Sequence, residues 1–599
     1  MAQLVTSANG GAPVSAAVGR AWAGRAVVLA AAVLATAPLM MRGVSCGNDF
    51  DFHLVSWIDA LQCWRHGILY PHWAASPNFN AGEPRFVFYP PLEWMLGAVL
   101  GAIMPWAAVP AVLVFMLLAA SGLATRALAR QALEEGPAAL AGSLAIFSGY
   151  ALFTAYERAA YAELAGGIWI PLLLLLALRD RTAASRWHCV QNGLPALALV
   201  TACAWLSNTP LGVMASYLLA AVALARAAAE RSWMPVARAA AGLILGIALA
   251  AVYLVPAVME QRWVDVSQAL NDPGERVENG FLFVHLAGTS PDPDMALHDA
   301  ELNRVSWIAL ATIGAAVAGV VVCLRRRRLP GARRWWMPLA LIPVGVLVLL
   351  LPVSLPVWNV LPKMRFLQFP WRWLVVVEAP FAIFVAQAVW TRAWRWVVAV
   401  ACAIACVGMT VLAGRVFFTP CYVEDSVPGM LAAYRAGAGF EGADEYSPEY
   451  ADSSLIAMGL PGACLVTDPQ AKLGEGEGDQ QPQWSPGQGS CVQAFAFEAS
   501  GHAEHWRVRG ATARAGWLVL RLRAYPAWRV RLNENVVSNL PRREDGLIVM
   551  PVTPGPVDVK VDWMATSDAW AGRGISLLAL AFVTVLCVLE RKRSGAQLS

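Results

Sequence analysis

The chain has 599 residues, of which 58% are hydrophobic and only 14% are charged, and its mean hydropathy is +0.51. Soluble domains carry about 25% charged residues, so this composition excludes a soluble globular protein and indicates an integral membrane protein. The net charge of +4 is small, and the arginines cluster beside apolar segments. That pattern is typical of membrane orientation and favours no nucleic-acid partner.

About twelve apolar segments approach the roughly 20 residues that a membrane-spanning helix needs. We interpret the first, which follows Arg20 and Arg25, as a signal anchor that stays in the protein. The two segments around Asn208 are predicted to form a broken or re-entrant helix pair. The predicted spans lie near 25–42, 92–119, 138–155, 164–178, 194–207, 211–228, 239–257, 305–323, 337–353, 373–390, 395–413 and 573–590.

Every second connection between these spans is rich in arginine, as in the RRRR run at 325–328 and in Arg591-Lys592-Arg593. Positively charged connections stay in the cytoplasm, so both termini are predicted to be cytoplasmic. The connections on the outer side are then 43–91, 156–163, 258–304, 354–372 and the long segment 414–572.

The segment 414–572 is predicted to be an extracytoplasmic domain. It contains a polar, linker-like stretch, GEGEGDQQPQWSPGQG, at 474–489. Alternating apolar and polar residues after it predict a small, mostly-β sandwich from about 490. The predicted domains are therefore a transmembrane part over 1–413, the outer domain over 414–572, and a last helix with a cytoplasmic tail over 573–599.

Five of the eleven cysteines fall on the predicted outer side, where disulfides persist. The favoured pair is Cys464 with Cys491, because it bridges the linker-like stretch. Five is an odd number, so at least one of the others, Cys46, Cys63 and Cys421, stays free or pairs elsewhere. No CxxC motif occurs, which disfavours a metal site built on thiolates.

The first outer connection begins with GNDFDFH, at 47–53, which places two carboxylates and an imidazole directly after an apolar segment. Apolar residues then recur at near-helical spacing and predict an amphipathic helix at the membrane surface. Asp49 and His53 are four residues apart and share a helix face if the helix begins that early. Alternatively, Asp49 is only the N-cap of this helix within a solvated loop.

A second charged group, Glu157, Arg158 and Glu163, stands between two apolar segments with almost no loop. Charge at membrane depth is costly, and such residues are usually paired or functional. Either a structural Arg–Glu pair between helices or a functional site is compatible with this pattern.

The third group lies in LPKMRFLQFPWRWL, at 361–374, where Lys363, Arg365 and Arg372 place positive charge on the predicted outer side. A phosphate or pyrophosphate head group would compensate this charge, because guanidinium groups match its oxygens in pairs. The alternative is anchoring at the membrane interface by Trp371, Arg372 and Trp373.

In these segments the chain resembles the bacterial multi-span membrane proteins called 6-pyruvoyl-tetrahydropterin synthase-related, which are similar to the GT-C superfamily of glycosyltransferases and share features with YfhO-like membrane proteins. The resemblance covers most of the chain in order. It is carried by Asp49, His53, Gly67, Tyr70-Pro71, Trp73, Gly82, Pro84, Phe88-Tyr89-Pro90-Pro91, Arg158, Glu163, Gln368-Phe369-Pro370-Trp371-Arg372, Glu445-Tyr446, Pro448 and Tyr525-Pro526-x-Trp528.

The resemblance implies a polytopic α-helical, GT-C-like membrane fold with an acidic catalytic residue in the first outer loop. That residue is Asp49, with Asp51 as the second candidate. The chain has Asp-x-Asp instead of the tandem acidic pair of better-known members, which leaves the identity of the base and any metal requirement open. The soluble enzyme in the family's label uses three zinc-binding histidines, and no such triad occurs here.

The leading hypothesis is a glycosyltransferase that moves a sugar from a polyprenyl-phosphate lipid to a glycan, lipid or protein acceptor on the outer face of the bacterial cytoplasmic membrane. Asp49 would be the general base, and Arg158, Arg365 and Arg372 would hold the lipid phosphate. The remaining assignments are His53, Glu157 and Glu163 as groups that orient the others or bind a divalent Mg or Mn ion, and Tyr89, Glu445 and Tyr446 on the acceptor side.

Two alternatives remain open. One is a transporter or flippase of a lipid-linked glycan, which the many spans and the break at Asn208 allow, although no inverted repeat of hydropathy is visible. The other is a non-catalytic scaffold for envelope assembly. No nucleotide-binding or hydrolase motif occurs in a fitting context.

Overall fold

The computed structural model describes residues 14–179, 193–268, 273–285, 288–476, 480–487, 490–491 and 503–596. It consists of a large helical part and a smaller β domain near the C-terminus. Arg181 and Arg186, two of the residues in the predicted cytoplasmic connections, lie outside the described residues, as does part of the linker-like stretch 474–489.

Every predicted apolar segment falls on one or more helices, and further helices lie in the connections. The first ten are α1 Val14–Arg42, α2 Phe50–Arg65, α3 Pro77–Asn80, α4 Arg85–Phe88, α5 Pro91–Ile103, α6 Val109–Ala129, α7 Glu135–Ile146, α8 Gly149–Tyr156, α9 Tyr161–Leu164 and α10 Gly166–Leu178. The remainder are α11 Leu194–Ser207, α12 Thr209–Glu230, α13 Met234–Leu249, α14 Ala251–Met259, α15 Pro293–Arg325, α16 Arg333–Leu349, α17 Leu355–Val360, α18 Leu374–Val389, α19 Arg395–Val416, α20 Val427–Ala436 and α21 Ser567–Ala596.

Within the described residues, nine helical segments are long and apolar enough to cross a membrane, or eleven if each of two bent helix pairs counts as one span. This is fewer than the twelve predicted. The single span predicted at 92–119 is wrong, because α5 ends at Ile103 and α6 begins at Val109. Met104 has an extended backbone, as expected for a residue that precedes a proline, and this conformation ends α5.

Two helix pairs are sharply bent. α13 and α14 meet at Ala250 with a bend of 74°, and α16 is bent by 93° from the segment Pro352–Val360. The predicted break at Asn208 is present, because α11 ends at Ser207. The side-chain oxygen of Asn208 accepts a hydrogen bond of 2.9 Å from the N–H of Leu211 and so caps α12.

The β domain, which lies within the segment predicted to be extracytoplasmic, is a sandwich of two antiparallel sheets. The strands are β1 Ala463–Val466, β2 His505–Thr512, β3 Gly516–Arg523, β4 Trp528–Leu532, β5 Asn535–Val536, β6 Leu547–Val552 and β7 Gly555–Trp563. One sheet has the order β1-β3-β6 and the other β2-β7-β4-β5, and their apolar faces share one core. The sandwich thus includes a strand before 490, and α21 begins at Ser567 instead of 573.

Two disulfides and several side-chain contacts tie the parts together. Cys464 pairs with Cys491, and Cys46 pairs with Cys421, so Cys63 is the fifth cysteine of the predicted outer set and is free and buried. Trp73 of the first outer connection packs in the sandwich core. His72 Nδ1 lies 3.1 Å from Glu504 Oε1, which fixes the same connection to the β domain.

Candidate functional site

A cavity of about 1070 Å³ lies where the first outer connection, the α8–α9 turn, the segment 363–372 and the β-domain side of the chain meet. Three of the charged groups found in the sequence reach it together. Among the lining residues are Asp49, Tyr89, Arg158, Glu163, Tyr253, Glu301, Lys363, Gln368, Arg372, Glu445 and Tyr446.

The segment that carries Asp49 is paired through its backbone with the α8–α9 turn. The N–H of Asn48 donates to the carbonyl of Glu157 at 3.2 Å, and the N–H of Asp49 donates to that of Arg158 at 3.0 Å. A Cβ on Gly47 would lie 2.3 Å from the Glu157 oxygen, so only glycine permits this close approach.

Asp49 occupies the N-cap position of α2, yet its side chain makes no capping hydrogen bond. Its carboxylate instead lies 3.7 Å from Nη2 of Arg158. The two interpretations of Asp49 are thus combined, since its backbone begins the helix while its side chain is available to the cavity.

Arg158 is buried and is surrounded by aromatic rings and carboxylates. Its guanidinium lies over the rings of Phe369 and Trp371, at 5.5 and 5.2 Å, and Nη1 lies 3.8 Å from Glu301. Burial lowers the pKa of Arg158, but the carboxylates of Asp49, Glu163 and Glu301 outweigh this and raise it. Its Nε has no hydrogen-bond partner among the described residues, so this cation retains donor capacity.

Arg372 lies on the same wall and contacts the second carboxylate. Its Nε donates to Glu163 at 3.2 Å, and its Nη1 donates to the carbonyl of Leu367 at 2.8 Å. Glu163 also accepts a hydrogen bond from the hydroxyl of Tyr150. The FPWRW segment therefore positions a cation inside the cavity, and interfacial anchoring does not account for Arg372.

Four of the predicted site residues do not line the cavity. Asp51 is exposed, and His53 is fully buried with Nδ1 at 3.1 Å from Glu93. Glu157 pairs with Arg304. Arg365 is 46% exposed and pairs with Glu278 at 2.6 Å. These four side chains belong to the surroundings of the site, and three of them are engaged by a charged partner of their own.

The three residues assigned to the acceptor side all line the cavity. Tyr446 stacks on Phe88 with ring centres 5.7 Å apart. Glu445 shares the short helical turn Asp444–Tyr446 with it. Burial and then repulsion from Glu83 and Glu275 raise the pKa of Glu445 to about 7, against the opposing effects of its own N–H and of Arg85.

Sequence reasoning did not assign Lys363, Glu301 or Gln368 to the site. Lys363 lies in the recognised basic segment, and its positive charge on the outer side was the available signal. Glu301 lies near the start of α15, three residues before Arg304, and nothing in that spacing distinguishes a cavity residue from a solvated helix face.

The residues proposed for a divalent metal do not converge. In the part of the chain that the structure describes, no three His, Cys, Asp or Glu side chains form a set that could hold a metal ion. Glu157 is engaged by Arg304 and Glu163 by Arg372 and Tyr150. We therefore derive no step through a metal.

One side of the cavity is apolar and faces away from the protein. Ile247, Val258 and Met259 line it, with exposed fractions of 39%, 54% and 48%. They lie on α13 and α14, the pair bent at Ala250. Exposed aliphatic side chains on helices of this kind are those that contact lipid, so the cavity combines a charged interior, which contains Arg158 and Arg372 among several carboxylates, with an apolar opening.

Comparison with known proteins matches residues 86–418 to the family model of the 6-pyruvoyl-tetrahydropterin synthase related domain, described as a membrane protein. No curated protein matches the chain. Among solved structures, the apo oligosaccharyltransferase of Archaeoglobus fulgidus has 13% identity and a TM-score of 0.41, over 71% of this chain and 61% of that one.

The same oligosaccharyltransferase in complex with Zn and sulfate has 13% identity and a TM-score of 0.35, over 70% of this chain and 58% of that one. The arabinofuranosyltransferase AftD from Mycobacteria has 13% identity and a TM-score of 0.41, over 92% of this chain and 60% of that one. The chain thus spans about 60% of the length of these structures.

Proposed function

This chain belongs to the 6-pyruvoyl-tetrahydropterin synthase related family of membrane proteins, and we propose that it is a membrane glycosyltransferase that uses a polyprenyl-phosphate-linked sugar. The acceptor is a hydroxyl group of a glycan, lipid or protein on the outer face of the cytoplasmic membrane. The observation that carries the proposal is the shared cavity of Asp49, Arg158 and Arg372, open on its apolar side.

The charged interior and the apolar opening of the cavity suit the phosphate and the prenyl chain of such a donor. A lipid phosphate entering past Ile247 and Val258 would meet the guanidinium groups of Arg158 and Arg372, and the prenyl chain would stay against aliphatic side chains. Paired N–H groups on a guanidinium match phosphate oxygens. No nucleotide site is required, because the lipid already carries the activated sugar.

The proposed reaction makes one bond and breaks one. The acceptor oxygen forms a bond to the anomeric carbon while the bond from that carbon to the phosphate oxygen breaks. Asp49 removes the hydroxyl proton, and Arg158 and Arg372 stabilise the charge on the departing polyprenyl phosphate. Glu163 is a positioning residue, since it holds Arg372 by its Nε.

The cellular arrangement is part of the proposal. Both termini are assigned to the cytoplasm and the outer domain to the extracytoplasmic side of a bacterial inner membrane. The domain division is a transmembrane part, an outer domain with the β sandwich, and the final helix α21 with its tail. The outer domain closes the cavity with Glu445 and Tyr446.

The full chain in lipid nanodiscs tests the proposal with polyprenyl-phosphate mannose, glucose and arabinose as donors and with a bacterial envelope glycan and lipid extract as the source of the acceptor hydroxyl. Release of polyprenyl phosphate is the readout, because this product is common to every sugar. We expect Asp49→Asn to lower release by about a hundredfold or more, while binding of polyprenyl phosphate alone is kept.

Asp51→Asn makes the same chemical change two residues away, on a side chain outside the cavity, and we expect it to retain activity. Equal activity of the wild-type protein and Asp49→Asn would contradict the proposal. A protein that binds the lipid and translocates it without releasing polyprenyl phosphate would instead be a flippase. Absence of lipid binding would favour a scaffold.

A further inference from the structure

Five carboxylates line the cavity, and the surroundings of one of them, Glu445, differ from those of Asp49. Asp49 lies beside the guanidinium of Arg158, whereas no cation contacts Glu445, and no other described side chain donates a hydrogen bond to it. Two carboxylates in one site with different environments commonly divide the acid and base roles between them.

Glu445 is held in place by three separate contacts of its segment. The N–H of Ala443 donates to Glu83 Oε2 at 3.0 Å, and the carbonyl of Ser447 accepts from the N–H of Asp265 at 2.9 Å. Tyr446 stacks on Phe88. A turn fixed on both sides of Glu445 keeps its carboxylate at the cavity, where none of the side chains that the structure describes is its partner.

The charged and titratable groups around Glu445 come from three elements. Glu83 and Arg85 lie in the first outer connection, Glu275 in the segment Pro273–Glu275, and Tyr446 on its own turn. Glu83 is already paired with Arg85 at 2.7 Å. These surroundings hold the pKa of Glu445 at about 7, so both its acid and its carboxylate are populated at neutral pH, where proton exchange is then most effective.

We infer that Glu445 is the second acid–base group of the cavity, which receives the proton that Asp49 removes from the acceptor hydroxyl and passes it to the outer solvent. The inference rests on the proposed function. The proton moves from the acceptor oxygen to Asp49, then through water in the cavity to the Glu445 carboxylate, and then to bulk water. Asp49 is again a carboxylate for the next acceptor, and no other reactant is needed.

The sign of the pH dependence follows from this role. Glu445 accepts a proton only as a carboxylate, so turnover should fall as the pH decreases through about 7. If Glu445 only supported the fold, replacing it would lower the activity but would keep the decline of turnover near pH 7.

The test is the rate of polyprenyl-phosphate release by the full chain between pH 5.5 and 9. The donor is polyprenyl-phosphate mannose, glucose or arabinose at saturating concentration. The rate is measured at intervals of about half a pH unit, which samples the titration of Glu445. We expect Glu445→Gln to lower kcat roughly tenfold to a hundredfold, to leave the donor KM unchanged and to abolish the decline near pH 7. Glu449→Gln, on an exposed residue of the same segment, is the matched control.

Glu445→Asp keeps a carboxyl group and tests the same point if the amide variant does not fold. We expect it to retain a declining acidic limb that is displaced along the pH axis. A wild-type pH profile in either variant overturns the inference and leaves the proposed function standing. If the wild-type protein releases polyprenyl phosphate from none of the donors at any pH, the proposed function and the inference about Glu445 both fail.

Discussion

Asp49 and Arg158 are joined twice, once by a backbone hydrogen bond of 3.0 Å and once by an ion pair of 3.7 Å. The backbone bond fixes the distance between their segments, and the ion pair orients the two side chains within it. The carboxylate that we propose as the base and the cation that we propose to bind the phosphate are thereby placed side by side.

Replacing Arg158 by Lys tests whether the guanidinium is needed for more than its charge. A lysine ammonium cannot contact Asp49 and Glu301 at once or stack on Phe369 in the same way. We expect affinity for polyprenyl phosphate to fall about tenfold or more, measured by binding to the nanodisc-embedded chain. Arg304→Lys, whose partner Glu157 lies outside the cavity, should leave the affinity unchanged. A loss of affinity in Arg304→Lys but not in Arg158→Lys would contradict the proposed role of Arg158.

Arg372→Gln should destabilise the fold by about 3 kcal/mol, because it leaves the buried carboxylate of Glu163 without its cation. The double variant Arg372→Gln with Glu163→Gln should recover most of that stability, and it should still bind polyprenyl phosphate weakly. Thermal unfolding and lipid binding separate the two effects. Arg365→Gln removes a partly exposed arginine from the same segment and should change neither.

Gly47→Ala should destabilise the chain by about 2 kcal/mol, because the new methyl group would meet the carbonyl oxygens of Glu157 and Tyr156. Activity should fall as well, since Asp49 is two residues away. Gly314→Ala is the control, because beyond the adjoining backbone of its own helix no atom lies within 4 Å of the added Cβ. An unchanged unfolding midpoint in Gly47→Ala would show that the two segments are not held as closely as described.

The disulfides report the side of the membrane on which the outer segments lie. Cys46 with Cys421 and Cys464 with Cys491 should both resist maleimide labelling in unreduced, denatured protein from cells. Replacing Cys46 and Cys421 by Ser should cost about 3 kcal/mol. Free thiols at these four positions in freshly trapped cells would contradict the outward orientation.

Glu445 should make stability depend on pH. Its pKa is raised to about 7 in the folded chain, above that of an unfolded glutamate, so the folded state binds more protons between those values. Its contribution to stability is complete below the unfolded pKa and is lost as the pH rises through about 7. When the pH is raised from 5 to 8, the free energy of unfolding of the wild-type protein should fall by on the order of 2 kcal/mol more than that of Glu445→Gln.

Much of the helical part could be predicted from composition, since apolar segments of sufficient length have few alternatives. The break at Asn208 followed from local chemistry in the same way. The break at Met104-Pro105 was missed, although Pro105 was visible, because a proline in an apolar segment can either end a helix or only bend it. The sandwich strand β1 was missed because four residues are too few to show alternation.

The site was predictable only in part. Asp49, Arg158, Glu163 and Arg372 were recognised as charges in unusual places, and that signal is independent of the fold. His53 and Arg365 carried the same signal, yet one is buried against Glu93 and the other faces Glu278. Which charges share a cavity depends on side-chain direction and on contacts hundreds of residues apart, and neither is visible in sequence spacing.

The contacts at the junction of α1 and the first outer connection have a consequence for biosynthesis. Arg42 donates to the carbonyl of Gly414, and the N–H of Cys46 donates to that of Thr419 at 3.0 Å. The partners of these groups are translated more than 370 residues later. The segment that carries Asp49 thus leaves the ribosome early but acquires its last neighbours only after α19 has been inserted. A nascent chain halted before that helix would have an inserted bundle and an incomplete site.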